Sequence, residues 1–290
     1  MLERLRQSRL AGELNPPAED LDEEKAEELC AGIARHLLGD FAPALLLLPG
    51  TERRRAQALL AYTYGLFDFA RQGGLEGEKL AQINRWEFTL EAAFAGERTG
   101  QPVFLRMARE NERRRWPVDP LDELAACARR RILRRQPSTV ADADVEALIL
   151  GRAVAAALLE KSLNAEVDGL ASALVRLGAL QRLGEETAGR RCPLPASEVA
   201  EGEDGRLDPA HLLAAARREC PRIRSRLLRA PRGLVGLPHG YRRAAVFSLL
   251  AALRLLTEIE DPETDLLKAP PRLPLGARIG LLMRARWVGR

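Results

Sequence analysis

The sequence predicts an all-α protein, a bundle of about ten helices, on three observations. Ala, Leu, Arg and Glu, all strong helix formers, dominate the 290 residues. Apolar residues make up 46% and aromatic residues 4%, which supplies a core but little of the aromatic and β-branched bias of strands. No alternation of apolar and polar residues runs beyond four positions, and no segment recurs at a fixed spacing.

Residues 1–20 are polar and contain Pro16-Pro17, which predicts a loosely ordered N-terminus ahead of a helical domain over 21–290. A first helix is expected over Asp22–Leu38, with acids at its positive end. Pro43 and Pro49-Gly50 punctuate the chain, and Thr51 reads as the N-cap of a helix running to Arg71. Gly73-Gly74 and Gly77 separate that helix from Glu78–Ala95, whose apolar faces carry Leu80, Ile83, Trp86, Phe88, Leu90 and Phe94. Helices follow over Pro102–Arg115, stopped by Trp116-Pro117, and over Leu121–Arg135, Asp142–Lys161 and Ala165–Glu186. After the Pro/Gly-rich connection Gly189–Gly205, helices over Pro209–Arg218, Pro221–Leu228 and Tyr241–Glu260 complete the set, and a basic tail with Trp287 ends the chain.

Charge narrows the function classes. The net charge is +4, and lysine occurs only at 25, 79, 161 and 268, so arginine supplies nearly all the basic charge. Arginine suits bidentate phosphate contacts. Acids surround the runs Arg113–Arg115 and Arg129–Arg135 and no nucleic-acid module appears, so no nucleic-acid partner is expected. Cys30, Cys127, Cys192 and Cys220 fit neither a metal motif nor a disulfide framework, which predicts a reduced, cytoplasmic setting. There is no signal-peptide core, and the apolar stretch Ala244–Leu253 is too short to span a bilayer. The segment Arg278–Arg290 mixes Ile279, Leu281, Leu282 and Trp287 with arginines; packing on the bundle is the favoured expectation, and peripheral membrane contact is also permitted.

Two segments carry the functional signal. The first is Ala61-Tyr62-Thr63-Tyr64-Gly65-Leu66-Phe67-Asp68-Phe69-Ala70-Arg71. The second runs without a gap from Leu180 to Pro195 and includes Arg182, Glu185, Glu186, Arg190, Arg191, Leu194 and Pro195. Carboxylates at i, i+3 or i+4 share one helical face.

These segments resemble the two aspartate-rich motifs of the squalene/phytoene synthase family, which the first motif writes as A-F-x-R-x-x-D-D-x-x-D. Ala61 and Asp68 match it, Tyr62 stands for Phe, Tyr64 for Arg, Phe67 for the first Asp and Arg71 for the third. In the second motif Arg182 takes an Asp position, Glu185 keeps its acid, Glu186 replaces an Asp, and Arg190 and Pro193 replace Gly and Tyr. Ala34-Arg35-His36, Asp40-Phe41, Leu48-Pro49, Gln101-Pro102-Val103-Phe104 and Phe247–Glu260 resemble the hopanoid-pathway, hydroxysqualene synthase branch. The resemblance implies an isoprenoid (terpenoid) synthase fold around a central cavity and a prenyl diphosphate or isoprenoid lipid as ligand.

The departures set the expected function. Asp68, Glu185 and Glu186 stand against Arg71 and Arg182, a net charge of −1 that is too weak to gather several divalent ions. Arg182 is expected to pair with Glu186 four residues on, and Asp68 with Arg71 three residues on. The expectation is a degenerate family member with no catalytic residue assigned, no metal and no cofactor. It would bind a prenyl lipid or support an active paralogue as a protein partner. Arg71, Arg182, Arg191 and His36 are the diphosphate-binding candidates, and Tyr62, Tyr64 and Phe67 the pocket lining. One alternative is an active head-to-head prenyltransferase, or an enzyme resembling hydroxysqualene synthase, with an altered diphosphate site; Mg²⁺ enters only there. Another is a complex-assembly factor. Gly73-Gly74-x-x-Gly77 follows no strand and fails as a phosphate loop, and no nucleophile-elbow motif occurs.

Overall fold

Caps and breakers decide where each helix begins and ends. The computed structural model describes residues 22–134, 136–159, 164–188, 191–199 and 207–288. The expectations for 1–20, Lys161, Arg190 and most of the Gly189–Gly205 connection's second half lie outside them. Helix α1 spans Glu23–Leu38, capped by Asp22, whose carboxylate accepts from the Lys25 N–H at 2.7 Å. Gly39 ends it at φ +52, and its N–H returns to the Arg35 carbonyl. The chain then turns into a 3₁₀ segment, Gly39–Leu47, where the sequence suggested only punctuation. Among the described residues Glu23–Leu47 is the one helical stretch long and apolar enough to cross a bilayer, but Gly39 divides it, and Ala34 and Leu45 are buried in the bundle.

Helix α2 spans Gly50–Arg71. The Thr51 cap is corrected: Pro49 holds the N-cap position, and its carbonyl accepts from the Arg53 N–H at 2.8 Å. An N-cap gives the helix its carbonyl and needs no N–H, so proline fits there. Helices α3 (Glu76–Phe94), α4 (Pro102–Arg113) and α5 (Val118–Leu133) follow. Pro102 occupies the first turn of α4. Helix α6 (Val140–Leu159) opens on a reciprocal cap: Asp142 accepts from the Thr139 N–H at 3.0 Å, and the Thr139 hydroxyl accepts from the Asp142 N–H at 3.2 Å.

The helix expected over Ala165–Glu186 is two. Helix α7 covers Ala165–Gln181, Arg182 turns at φ −101, ψ 14, and α8 covers Leu183–Ala188. Close packing accompanies the break, because a Cβ on Gly184 would stand 2.3 Å from the Leu267 carbonyl oxygen of a crossing segment. The reverse correction applies further on. Pro221 does not split a helix, since α9 runs unbroken over Pro209–Arg229. Its buried face, Leu212, Ala215, Ala216, Cys220, Ile223 and Leu227, is continuous across the proline, and that packing outweighs one missing hydrogen bond. One turn, α10 (Pro231–Leu234), leads to α11 (His239–Glu260), and the expected basic tail forms a helix, α12 (Leu275–Val288).

No strand occurs among the described residues. Helix α1 packs on α2 and α4; α2 also packs on α5 and α6; α6 packs on α5 and α7; α9 lies on α7 and α11; and α11 carries α12 and the 3₁₀ segment. One buried cluster lies among α1–α6 and includes Tyr62, Trp86, Phe104 and Leu124. A second includes Leu177, Ile223, Phe247 and Leu256 from α7, α9 and α11, and a small third joins Ala34, Leu45, Leu48 and Ala56. Each such side chain contributes about 1.5–3 kcal/mol by leaving water. Gly151 lets α6 and α7 meet closely, since its Cβ would lie 2.8 Å from the Ala171 backbone. Residues near the C-terminal ends of α2, α5 and α7, Phe67, Arg131 and Ala179, line one cavity.

Candidate anion site

Helix periodicity sorts the first motif into two faces. Tyr64, Phe67, Asp68 and Arg71 recur at i, i+3, i+4 and i+7 and share one face of α2. Tyr62, Gly65 and Phe69 lie on another. Tyr62, expected as pocket lining, lies on this second face. It is fully buried and stacks on Trp86 at 6.2 Å between ring centres, with Phe69 edge-on to the same indole at 5.3 Å. Burial pushes its phenol pKa up, and nearby Glu87 and Asp122 add to that. Gly65 makes room for the indole, since a Cβ there would lie 2.4 Å from the Trp86 ring.

The other face carries the polar residues. Asp68 pairs with Arg71 at 3.5 Å and accepts from the Gln72 amide at 2.9 Å. The Arg71 guanidinium stands 5.1 Å from the Tyr64 ring centre, and His36, exposed at the end of α1, meets Tyr64 edge-on at 6.0 Å. Burial raises the Tyr64 pKa, Asp68 raises it further, and Arg71 opposes.

Arginine 182 does not pair with Glu186. Its guanidinium folds back along α7, where a Cβ on Gly178 would lie 3.6 Å from it, and its buried Nε makes no hydrogen bond. Desolvation depresses its pKa, Arg131 and Arg71 add to that, and Glu186 and Glu185 act in the opposite sense. The partner of Glu186 comes from α5: Arg131 donates to its carboxylate at 2.5 Å. Burial disfavours the Glu186 anion, but the Arg131 charge and hydrogen bond, with Arg182 and Arg71 behind them, bring its pKa below the ordinary value. Arg131 also lies 5.8 Å from the Phe67 ring centre and so ties α2, α5 and α8 together.

Sequence reasoning read Arg131 only as part of a basic run. A signal was present: the sequence positions three and four away hold Cys127, Ala128, Arg134 and Arg135, none of them acidic, so no acid lies at helical spacing from it.

Beside this ion pair lies a cavity of about 90 Å³. Phe67, Glu186, Arg191 and Pro193 line it, with Arg130, Arg131, Arg134, Arg176 and Glu146. Five arginines and two glutamates line it, with Arg130 held by Glu123 and Arg176 by Glu219 from behind the wall. The cavity holds several water-sized groups, yet it is far smaller than the few hundred cubic ångströms of a typical small-molecule pocket. Arg176 donates to the Pro193 carbonyl at 3.3 Å and pairs with buried Glu219; Arg222 links Glu219 to Glu198 at 2.6 and 2.7 Å. This network anchors the 191–199 segment on α7 and α9. Of the candidates, Phe67, Glu186 and Arg191 line the cavity, Arg71, Arg182 and Glu185 act electrostatically on its neighbourhood, and Tyr64 and His36 extend the polar face outward.

The donor set does not fit Mg²⁺. Asp68 is engaged by Arg71 and Gln72, Glu186 by Arg131, and Phe67 offers no oxygen. Among the described residues no three His, Cys, Asp or Glu side chains approach closely enough to share an ion. The chemistry on offer is anion binding by guanidinium groups.

The family model described as squalene/phytoene synthase matches residues 38–278. No curated protein sequence matches the chain. A dehydrosqualene synthase in complex with ligand superposes with a TM-score of 0.72 at 14% identity, over 92% of this chain and 97% of that one. Squalene synthase HpnC from Alicyclobacillus acidocaldarius gives 0.64 at 20% identity, over 84% and 95%. YisP from Bacillus subtilis gives 0.60 at 12% identity, over 90% and 96%.

Proposed function

The chain belongs to the squalene/phytoene synthase family, and from that premise we propose that it is a divergent member whose arginines bind the diphosphate of a prenyl diphosphate without ordinary Mg²⁺-dependent prenyl transfer. One observation carries the reading. Three guanidiniums, Arg71, Arg131 and Arg182, lie among the three carboxylates Asp68, Glu185 and Glu186, which neutralises the acids that a metal would need. The arginine-lined cavity beside them supplies a positive field for a phosphate group.

A second reading rests on the cavity's size. About 90 Å³ is too small for this cavity to enclose an isoprenoid tail, which favours a supporting subunit of an active paralogue that engages at most the diphosphate head.

Calorimetric titration of farnesyl diphosphate, with and without Mg²⁺, separates the readings. Binding that needs no metal and is lost in Arg71→Asp/Arg182→Asp supports the arginine site. No binding under any condition moves the assignment to the supporting subunit. Mg²⁺-dependent turnover of farnesyl or presqualene diphosphate by the unaltered protein overturns both.

A further inference from the structure

Helix α12 is apolar on two sides. Leu281, Leu282 and Ala285 turn toward the bundle, where α12 packs on α11 and the 3₁₀ segment. Arg278 fixes the same side, donating to the Leu273 carbonyl at 2.9 Å and approaching buried Asp40 at 3.6 Å. The opposite side carries Leu275, Ile279, Met283 and Trp287, each four residues from the last and between 51% and 69% exposed. Spacing of four keeps successive side chains adjacent along one stripe. Gly276 and Gly280 lie beside the stripe, and an added Cβ on either would meet nothing within 4 Å. A helix whose inner face is already buried gains nothing for the fold from a second apolar face, so an aligned apolar stripe in water marks an interaction surface.

Charge identifies what covers it. From Leu266 to Arg290 the sequence holds Lys268 and five arginines and no aspartate or glutamate, in a chain whose net charge is only +4. Arg272, Arg284 and Arg286 are exposed. An apolar stripe with Trp, bordered by cations and lacking acids, matches an anionic bilayer surface, where the stripe enters the headgroup boundary and the guanidiniums meet lipid phosphates.

We propose that the exposed face of α12 docks the protein on anionic phospholipid membranes. The inference stands apart from the diphosphate reading, because it uses residues on a different element.

The test is flotation of the full chain with vesicles of equimolar phosphatidylglycerol and phosphatidylcholine, against vesicles of phosphatidylcholine alone. Binding to the anionic vesicles only, weakened by salt, is expected. Ile279→Ser/Met283→Ser should reduce it at least tenfold, and Arg284→Ala/Arg286→Ala by about fivefold for each charge removed. These side chains are exposed, so both variants should keep the unaltered thermal unfolding midpoint, which separates lost docking from lost folding. Absence of vesicle binding, or binding that both variants retain, overturns the proposal. So does a homodimer that the Ile279→Ser/Met283→Ser variant dissociates, since a second copy would then cover the stripe.

Discussion

Arg131 and Glu186, fifty-five positions apart, meet at 2.5 Å where α5 and α8 converge. The carboxylate is almost fully buried and the guanidinium about one-third exposed, so the pair is charge-assisted but not sealed from water. Removing one partner should cost more than a surface ion pair does. Arg131→Ala is expected to lower unfolding stability by about 1–3 kcal/mol, read as a shift in urea midpoint at unchanged slope. A change within experimental scatter would mean that the pair is ornamental.

Acid should dissolve the same contact. The folded Glu186 pKa lies below its ordinary value, so its contribution is complete above the unfolded carboxylate pKa near 4.5 and falls away as pH drops through the lower folded value. Comparing the protein with Glu186→Gln from neutral pH downward, the stability gap should be widest at neutral pH and narrow below about pH 4.5. A gap that stays constant down to pH 2 would contradict this.

Gly65 should resist even a methyl group. Alanine is the better helix former by about 1 kcal/mol, so an open site would be stabilised by the exchange. Here the new Cβ would stand 2.4 Å from the Trp86 ring, which is enclosed by Tyr62, Phe69 and Phe104. Overpacking should win, and Gly65→Ala should lose about 1–3 kcal/mol in thermal or chemical unfolding.

The four thiols should be silent in the native state. All are buried, and burial pushes Cys30 and Cys220 up to about 12 and raises Cys127 and Cys192 as well. Ellman's reagent at pH 8 should react slowly with native protein and promptly with all four after denaturation. A fast-reacting native thiol would show that one of these environments opens to solvent.

Several local features were legible where the deciding partner lay within one helical turn, although the Thr51 cap and the Arg182–Glu186 pair were not. The acidic first turn of α1, Pro102 at the start of α4, the end of α2 at Arg71 and the Asp68–Arg71 pair all follow from short spacings. Misreadings arose where distant segments decided. Pro221 remains helical because α9 has a continuous buried face, and α7 breaks at Arg182 where the segment bearing Leu267 crosses Gly184. Tyr62 reads as pocket lining from its motif position, but its side of α2 faces Trp86. The site shows the same limit: Phe67, Arg71 and Arg182 mark its departure from a metal centre, while Arg131 becomes visible only once α5 is placed beside α8.

Acids gathered at one mouth repel one another and ordinarily need cations drawn from solution to hold them together. Here Arg71, Arg131 and Arg182 are cations tethered to the backbone among Asp68, Glu185 and Glu186. The protein carries its own counter-ions, and dialysis cannot remove them. On the proposed reading folding should need no divalent metal, and chelation should leave the unfolding midpoint where it was. The cost is lost adjustability: a charge on a side chain cannot be exchanged for another ion, so on the proposed reading this mouth is committed to anions at the moment it folds.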